Sequence, residues 1–316
     1  MSAVCEIASP DDARDTRQPN GLVASHARSD DGTCIYFERV AATPDSAGPR
    51  ERKRAGKSPV LLVMGLGANG RLWGPIVRRL VASGYEVITF DNRGCGRSST
   101  PWRPWTTRTM AADAVAVLDE LDVDRAHVVG ASLGGMIAQE LALEFPDRVS
   151  TLVLGCTTGG LPRLDLVPRG GLVRILGAAL RSTSPLSDRR QRVSDFLHIA
   201  TSEDFAARCR PGSEPWEAVA AMLEDPTTPR GFGQQLLACA RHASWSRLGR
   251  LSMPVQVHHG SADRVMPFPA GRELARRIPG ARFEIHEGAG HALGLERPDE
   301  IFDRAMTFIA QAAGIP

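Results

Sequence analysis

Three residues of this chain have the types and the order of a nucleophile, a carboxylate and a base. Ser132 lies in Gly130-x-Ser132-x-Gly134, with a third glycine at Gly135. The apolar run 126–129 enters this stretch as a buried strand, and Leu133, Ile137 and Leu141, four apart, leave it as a helix. A serine between a strand and a helix, flanked by glycines, is the pattern of a nucleophile elbow. The turn is sharp and strained, a flanking side chain would crowd the serine, and the helix aims free N–H groups at a developing negative charge. The competing reading is a small-residue turn with no chemistry. A serine hydroxyl is a poor nucleophile until a base takes its proton and a carboxylate holds that base. Gly260-Ser261-Ala262-Asp263 follows an apolar strand and Gly288-Ala289-Gly290-His291 follows the last one. Both loops therefore fall at the carboxyl edge of a sheet, where open α/β sheets bind ligands. Taken singly, Asp263 reads as a turn residue and His291 as a surface histidine; taken together they follow Ser132 in the order Ser, Asp, His. Glu287 is the main rival acid, with Asp165 and Asp147 behind it.

The elements that must position these residues alternate between strand and helix. Residues 24–28 and 34–40 read as two strands around the hairpin signal Asp30-Asp31-Gly32. Runs at 60–64, 86–91, 126–129, 149–156, 255–259 and 281–286 read as further strands. Helical patterns follow through Leu72, Ile76 and Leu80, over 106–121 (Met110, Ala114, Val117, Leu118, Leu121), after the elbow, near 270–278, and over 298–312. Between about 159 and 245 the alternation stops. That stretch shows helical patterns at 172–180, 189–200, 216–223 and 232–242 and no convincing strand, which predicts a helical cap inserted between strands. The expected organisation is a disordered segment 1–20, a core of 21–158 and 246–316, and a cap of 159–245, in an α/β fold with a mostly parallel central sheet flanked by helices. The cap is apolar through Leu172, Ile175, Leu176, Trp216, Met222, Phe232, Leu236 and Trp245, most of them expected to form its own core. Two tryptophans, Trp102 and Trp105, read as exposed.

Composition excludes several classes. With 38 basic and 36 acidic residues in 316, the net charge of +2 gives no case for a nucleic-acid surface. The cluster Arg50, Arg52, Lys53 and Arg54 reads as a solvated loop, because nothing apolar or aromatic is interleaved with it. No apolar run approaches a membrane span, and the polar start lacks the apolar region of a secretory signal, so a cytoplasmic protein with no membrane partner is expected. The six cysteines show no CxxC and no disulfide-like spacing, and read as thiols in a reducing compartment. No metal is expected: His258 and His259 are adjacent on a strand and face opposite sides. The sequence leaves the oligomeric state open.

At this point the chain resembles the α/β-hydrolase superfamily. The resemblance spans about 22–312. It rests on the stretch around Ser132, on Arg93-Gly-Cys-Gly-Arg-Ser98 after the second long strand, on Gly260–Asp263 and on the run from Gly288 to Glu300. The opening Met64-Gly65-Leu66-Gly67, the RGxGxS loop and one helical cap look like the branch holding enol-lactonases, polyketide methylesterases and proline-iminopeptidase-like enzymes. Met64-Gly65 stands where the familiar opening is His-Gly, which leaves the backbone donor intact. The acidic cap residues of proline iminopeptidases do not map onto Glu203, Glu214, Glu217 or Glu224. The resemblance implies an oxyanion hole of two backbone N–H groups, those of Leu133 and Leu66. It implies a cofactor-free serine hydrolase acting on a small-molecule ester or lactone. C–C hydrolysis, acyl transfer and cofactor-free peroxidation are open to the same triad.

Two readings from other classes compete. Gly65-x-Gly67-x-x-Gly70 is formally a dinucleotide fingerprint between a strand and a helix, and Asp91 ends the next strand where a ribose-binding carboxylate would sit. An NAD-dependent oxidoreductase would leave Ser132, Asp263 and His291 unexplained. A receptor of low turnover on the same fold would not need all three.

Overall fold

The computed structural model describes residues 22–42, 58–160 and 188–313. The expected disordered start, the basic loop at 50–54, the helix at 172–180 and the rival acid Asp165 lie outside these residues. Eight strands form one sheet: β1 (Leu22–Arg28), β2 (Cys34–Val40), β3 (Val60–Val63), β4 (Val87–Phe90), β5 (Ala126–Ala131), β6 (Val149–Gly155), β7 (Val255–Gly260) and β8 (Arg282–His286). Their spatial order is β1-β2-β4-β3-β5-β6-β7-β8. The hairpin β1–β2 and the pair β2–β4 are antiparallel, and every other neighbour is parallel. A parallel sheet is covered on both faces, so its strands read as unbroken apolar runs. Val60–Val63 and Val87–Phe90 are such runs, buried at every position.

Alternation along β3 divides the core in two. Leu61 and Val63 pack with Met110, Ala114 and Val117 of α2 (Thr107–Glu120) and with Ile137 and Leu141 of α3 (Leu133–Glu144). Val60 and Leu62 pack on the other face with Ile76 and Leu80 of α1 (Gly74–Ala82) and with Ala305, Phe308 and Ile309 of the closing helix Pro298–Ala312. The helix expected through Leu72 begins as a 3-10 turn, Gly70–Trp73, because the Asn69 side chain caps it by accepting from Arg71 N.

Among the described residues, four α-helices lie between β6 and β7: α4 (Arg189–Ala200), α5 (Glu203–Arg208), α6 (Glu214–Met222) and α7 (Pro229–Arg241). Three match expected patterns; α5 is one short turn pair started by Ser202, whose side chain accepts from Phe205 N, and its apolar stripe is too short to read. Two expectations need correction. Trp102 is 80% exposed beneath the Arg230 guanidinium, but Trp105 is 1% exposed and sits in the core beside Arg93. Cys95, Cys156, Cys209 and Cys239 are free thiols, whereas Cys34 is disulfide-bonded. Among the described residues, no helix is long and apolar enough to cross a membrane.

Candidate active site

Because β3, β5, β7 and β8 run parallel, the loops that leave them meet at one edge. Ser132 stands at the end of β5 with φ 56° and ψ −120°, a strained conformation for a residue with a side chain. Its N–H is tied to Gly155 O (2.9 Å), and its carbonyl accepts from Thr157 Oγ1 (2.7 Å) and Gly135 N (2.9 Å). The glycines serve the turn differently from the expectation. A Cβ on Gly130 would lie 2.4 Å from Gly134 O, and one on Gly134 would lie 2.0 Å from Val63 O. They let helix and strands close on one another; it is Gly65 whose Cβ would meet the serine itself, 3.2 Å from Ser132 Cβ. Leu133 opens α3, so its N–H has no acceptor within the helix.

Asp263 and His291 are brought together: His291 Nδ1 lies 2.7 Å from Asp263 Oδ2. The other carboxylate oxygen, Oδ1, accepts from Val265 N and Met266 N, both at 2.8 Å. His259 Nε2 stands 3.4 Å from Oδ2 and 3.0 Å from Met266 O. Burial would raise the Asp263 carboxyl, but the facing His291 and His259 and the hydrogen bonds outweigh it, holding the group well below the usual carboxylate range. Glu287 is elsewhere, exposed and bonded to Ser261 Oγ (2.9 Å), and Asp147 sits in the exposed turn before β6. Ser132 and His291 line one cavity without a hydrogen bond between them, a bond that in such sites tightens when substrate seats.

The loop after β3 completes the edge. Asn92 Nδ2 donates to Met64 O (2.8 Å), Gly67 N donates to Gln235 Oε1 (2.9 Å), and Ala68 N reaches Gly65 O (3.4 Å). The N–H of Leu66, between them, has no acceptor among the described residues. The dinucleotide reading fails here on geometry. Asp91 is wholly buried, its oxygens taken by Gly70 N (2.9 Å) and by Arg97 N and Nε (2.9 and 3.2 Å), so it has none left for a ribose. Gly67 of this loop instead seats the cap: a Cβ there would lie 3.0 Å from the Phe232 ring.

The cavity holds about 790 Å³ and is mostly apolar. Its roof includes Phe196, Ile199, Met222 and Phe232, with Arg192 and Asp195 as charged members. Of the apolar cap residues singled out in the sequence, Trp216 and Trp245 pack instead against the two cores. The cap acids pair on the surface: Glu203 with Arg264, Glu214 with Arg78, Glu224 with Arg71, and Glu217 with Gly212 N. Cys156, His259 and Asp263 offer donor atoms within 4.8 Å of one another. Their hydrogen bonds already engage both Asp263 oxygens and His259 Nε2, and burial and the Asp263 charge push the Cys156 thiol well up, away from the thiolate a metal would need. Sequence reasoning missed Glu296. Nearly buried, it accepts from Gly290 N (2.9 Å), Ser202 N (3.0 Å) and Ser202 Oγ, and so fixes the loop that carries His291 to the cap. Its only trace was its place in the run ending at Glu300.

Known proteins are similar to this chain in sequence and in fold. The rhodomycin D methylesterase DnrP of Streptomyces peucetius is 34% identical over 271 residues, covering 75% of this chain and 86% of that one. BpoC of Mycobacterium tuberculosis, a candidate non-heme bromoperoxidase, is 32% identical over 253 residues, 80% of this chain and 94% of that one. A crystal structure of a hydrolase from Pseudomonas aeruginosa PA01 superposes with a TM-score of 0.73 at 26% identity, covering 90% of this chain and 98% of that one. The profile of the alpha/beta hydrolase fold matches residues 58–298. In sequence as in strand order, this chain belongs to the α/β-hydrolase family.

Proposed function

We propose that the protein hydrolyses a carboxylic ester or lactone of a small, largely apolar molecule through Ser132, His291 and Asp263. The observation that carries this reading is Ser132 on a strained turn, in the same apolar cavity as a histidine already held by a buried carboxylate. Asp263 accepts the Nδ1 proton of His291, which leaves Nε2 to act as the base. The Ser132 oxygen attacks the substrate carbonyl carbon while Nε2 takes the hydroxyl proton. The negative charge that gathers on the carbonyl oxygen is met by the N–H groups of Leu66 and Leu133. The intermediate collapses, the C–O bond to the alcohol breaks, and Nε2 returns the proton to the leaving alkoxide. Water then attacks the acyl-enzyme with His291 again as base, releasing the acid and restoring Ser132. No cofactor enters these steps. The described parts of 21–158 and 246–316 supply this machinery and the described part of 159–245 covers it; the named methylesterase is a relative whose chemistry this reading fits. The apolar roof and the pairing of the cap acids with arginines support an uncharged substrate over a peptide amine.

A fluorophosphonate tests the proposal. One adduct at Ser132, with hydrolysis of a p-nitrophenyl ester lost in step, is the expected result. A labelled residue other than Ser132, or undiminished hydrolysis after full labelling, overturns it.

A further inference from the structure

The two adjacent histidines of β7 point to opposite faces of the sheet. His259 turns to Asp263, while His258 turns the other way and forms part of the substrate cavity wall. His258 is 1% exposed, and its Nδ1 lies 3.0 Å from Nε2 of His286, the two rings stacked at 5.2 Å. His286 Nδ1 in turn lies 3.1 Å from Glu300 Oε1, and Glu300 also holds Arg304 Nη2 at 2.8 Å. The contact between His286 and Glu300 departs from a straight hydrogen bond, but charge decides which hydrogen is present. A ring lone pair would be repelled by a carboxylate oxygen at that distance, whereas a ring N–H is attracted.

The proton positions then follow in sequence. His286 carries its proton on Nδ1, so its Nε2 is a bare acceptor. His258 must therefore donate from Nδ1, and a neutral imidazole has only one proton to place. His258 Nε2 is left as a lone pair, buried, with no hydrogen-bond partner among the described residues. Both rings stay neutral. Burial, then the facing His286 and Arg304, bring His258 down to about 3, and burial lowers His286 against the pull of Glu300.

A buried acceptor without a donor is costly, and one in the wall of a ligand cavity is placed to take its donor from what fills that cavity. His258 pairs with Gly155 across the sheet, and Gly155 O accepts the Ser132 N–H, so His258 stands two strands from the elbow, roughly 10 Å along the sheet. Val153, Leu293 and Ile301 are apolar members of the same cavity wall. We propose that His258 Nε2 is the polar anchor of the substrate cavity, accepting a hydrogen bond from a hydroxyl or N–H group that the substrate carries at a distance from its scissile carbonyl. The preferred substrate is then an ester or lactone with an apolar spacer and a remote donor, in place of a plain alkyl chain. This rests on the hydrolase reading above.

The test uses p-nitrophenyl alkanoates of graded chain length, each with and without a terminal hydroxyl. The ratio of kcat/KM between the two members of a pair is independent of how much of a variant is folded. At the chain length that reaches His258, the wild-type ratio is expected to favour the hydroxylated ester about tenfold, the size of one made or missed hydrogen bond. In His258→Phe this ratio should fall to about one or below, whatever the absolute rate on the plain ester, and His258→Gln, which still offers a carbonyl acceptor, should retain part of the preference. A wild-type ratio near one at every length overturns the anchor, as does an unchanged ratio in His258→Phe. Hydrolysis of neither series, or equal hydrolysis by Ser132→Ala, instead overturns the hydrolase reading and the anchor with it.

Discussion

Asp263 and Glu287 end neighbouring loops, yet their surroundings divide their roles. Asp263 is held by two backbone amides and faces His291, whereas Glu287 bonds Ser261 at the surface. A carboxylate that fixes the imidazole tautomer is worth about 10⁴-fold in kcat when replaced by its amide. We expect that loss for Asp263→Asn and less than about tenfold for Glu287→Gln, since an exposed carboxylate contributes little to the transition state. Steady-state kinetics with circular dichroism decides between them, and the reverse ranking would move the acid to Glu287. Linkage gives a second expectation. The folded-state value of Asp263 lies below its ordinary 3.8, so unfolding takes up a proton in acid. Its contribution to stability is complete above 3.8 and declines as the pH falls below that value toward the folded one. Wild type and Asp263→Asn should therefore differ in melting temperature by a constant amount from neutral pH down to about 4, and converge in stronger acid; convergence already at pH 6 would contradict the assignment. Ser132, Asp263 and His291 were legible because each follows a strand in a glycine-marked loop. Glu296, Asn92 and Gln235 were not, since their partners lie 94, 28 and 168 positions away or sit in the backbone, and no local pattern records such pairings.

Inner strands such as β3 and β4 were legible because burial on both faces writes an unbroken apolar run, the hairpin β1–β2 through its Asp30-Asp31-Gly32 turn signal, and the strand ends moved by no more than one or two residues. The cap was legible as a change of period but not in its packing: whether Met222 faces the cavity or Trp216 the core depends on how α6 is rotated. Glycines in two helices illustrate what this scale controls. In α3, Gly134→Ala would place a methyl 2.0 Å from Val63 O, where backbone must give way. In α7, Gly233 is exposed, with nothing within 4 Å of an added Cβ. The first substitution is expected to lower the melting temperature by roughly 10 °C or to prevent folding, the second to raise stability by about 0.5–1 kcal/mol. Thermal melts followed by circular dichroism check both, and equal shifts would show that the elbow has room for a methyl at Gly134.

Across the molecule, Arg93 joins the hairpin, the loop after β4 and α2. Its guanidinium is 2% exposed and contacts Asp113 (2.6 and 2.5 Å) and Asp31 (2.8 Å), while Ser29 Oγ donates to Asp113. For Asp113 burial outweighs these partners and raises its carboxyl, whereas the more open Asp31 is lowered to about 2. Removing one member of so buried a pair strands the other's charge. Arg93→Met is expected to cost about 3–5 kcal/mol, and the double change Arg93→Met with Asp113→Leu less than that. Urea unfolding of wild type, Arg93→Met and the double variant reads this, and a double variant less stable than Arg93→Met would show that the ion pair itself stabilises the fold. Gly231 of the cap approaches the loop after β4 so closely that a Cβ would lie 1.9 Å from Gly94 O. Gln235 also ties Arg93 O to Gly67 N, Asn69 Nδ2 reaches Met222 O and Asp225 O, and Thr227 donates to Gly67 O. The roof and the loop after β3 are therefore packed as one unit. A chimaera that grafts this roof onto a related scaffold has to bring Gly67, Asn69 and Gly94 with it, and a lineage drifting toward new substrates can change the roof only as fast as the loop beneath it can follow.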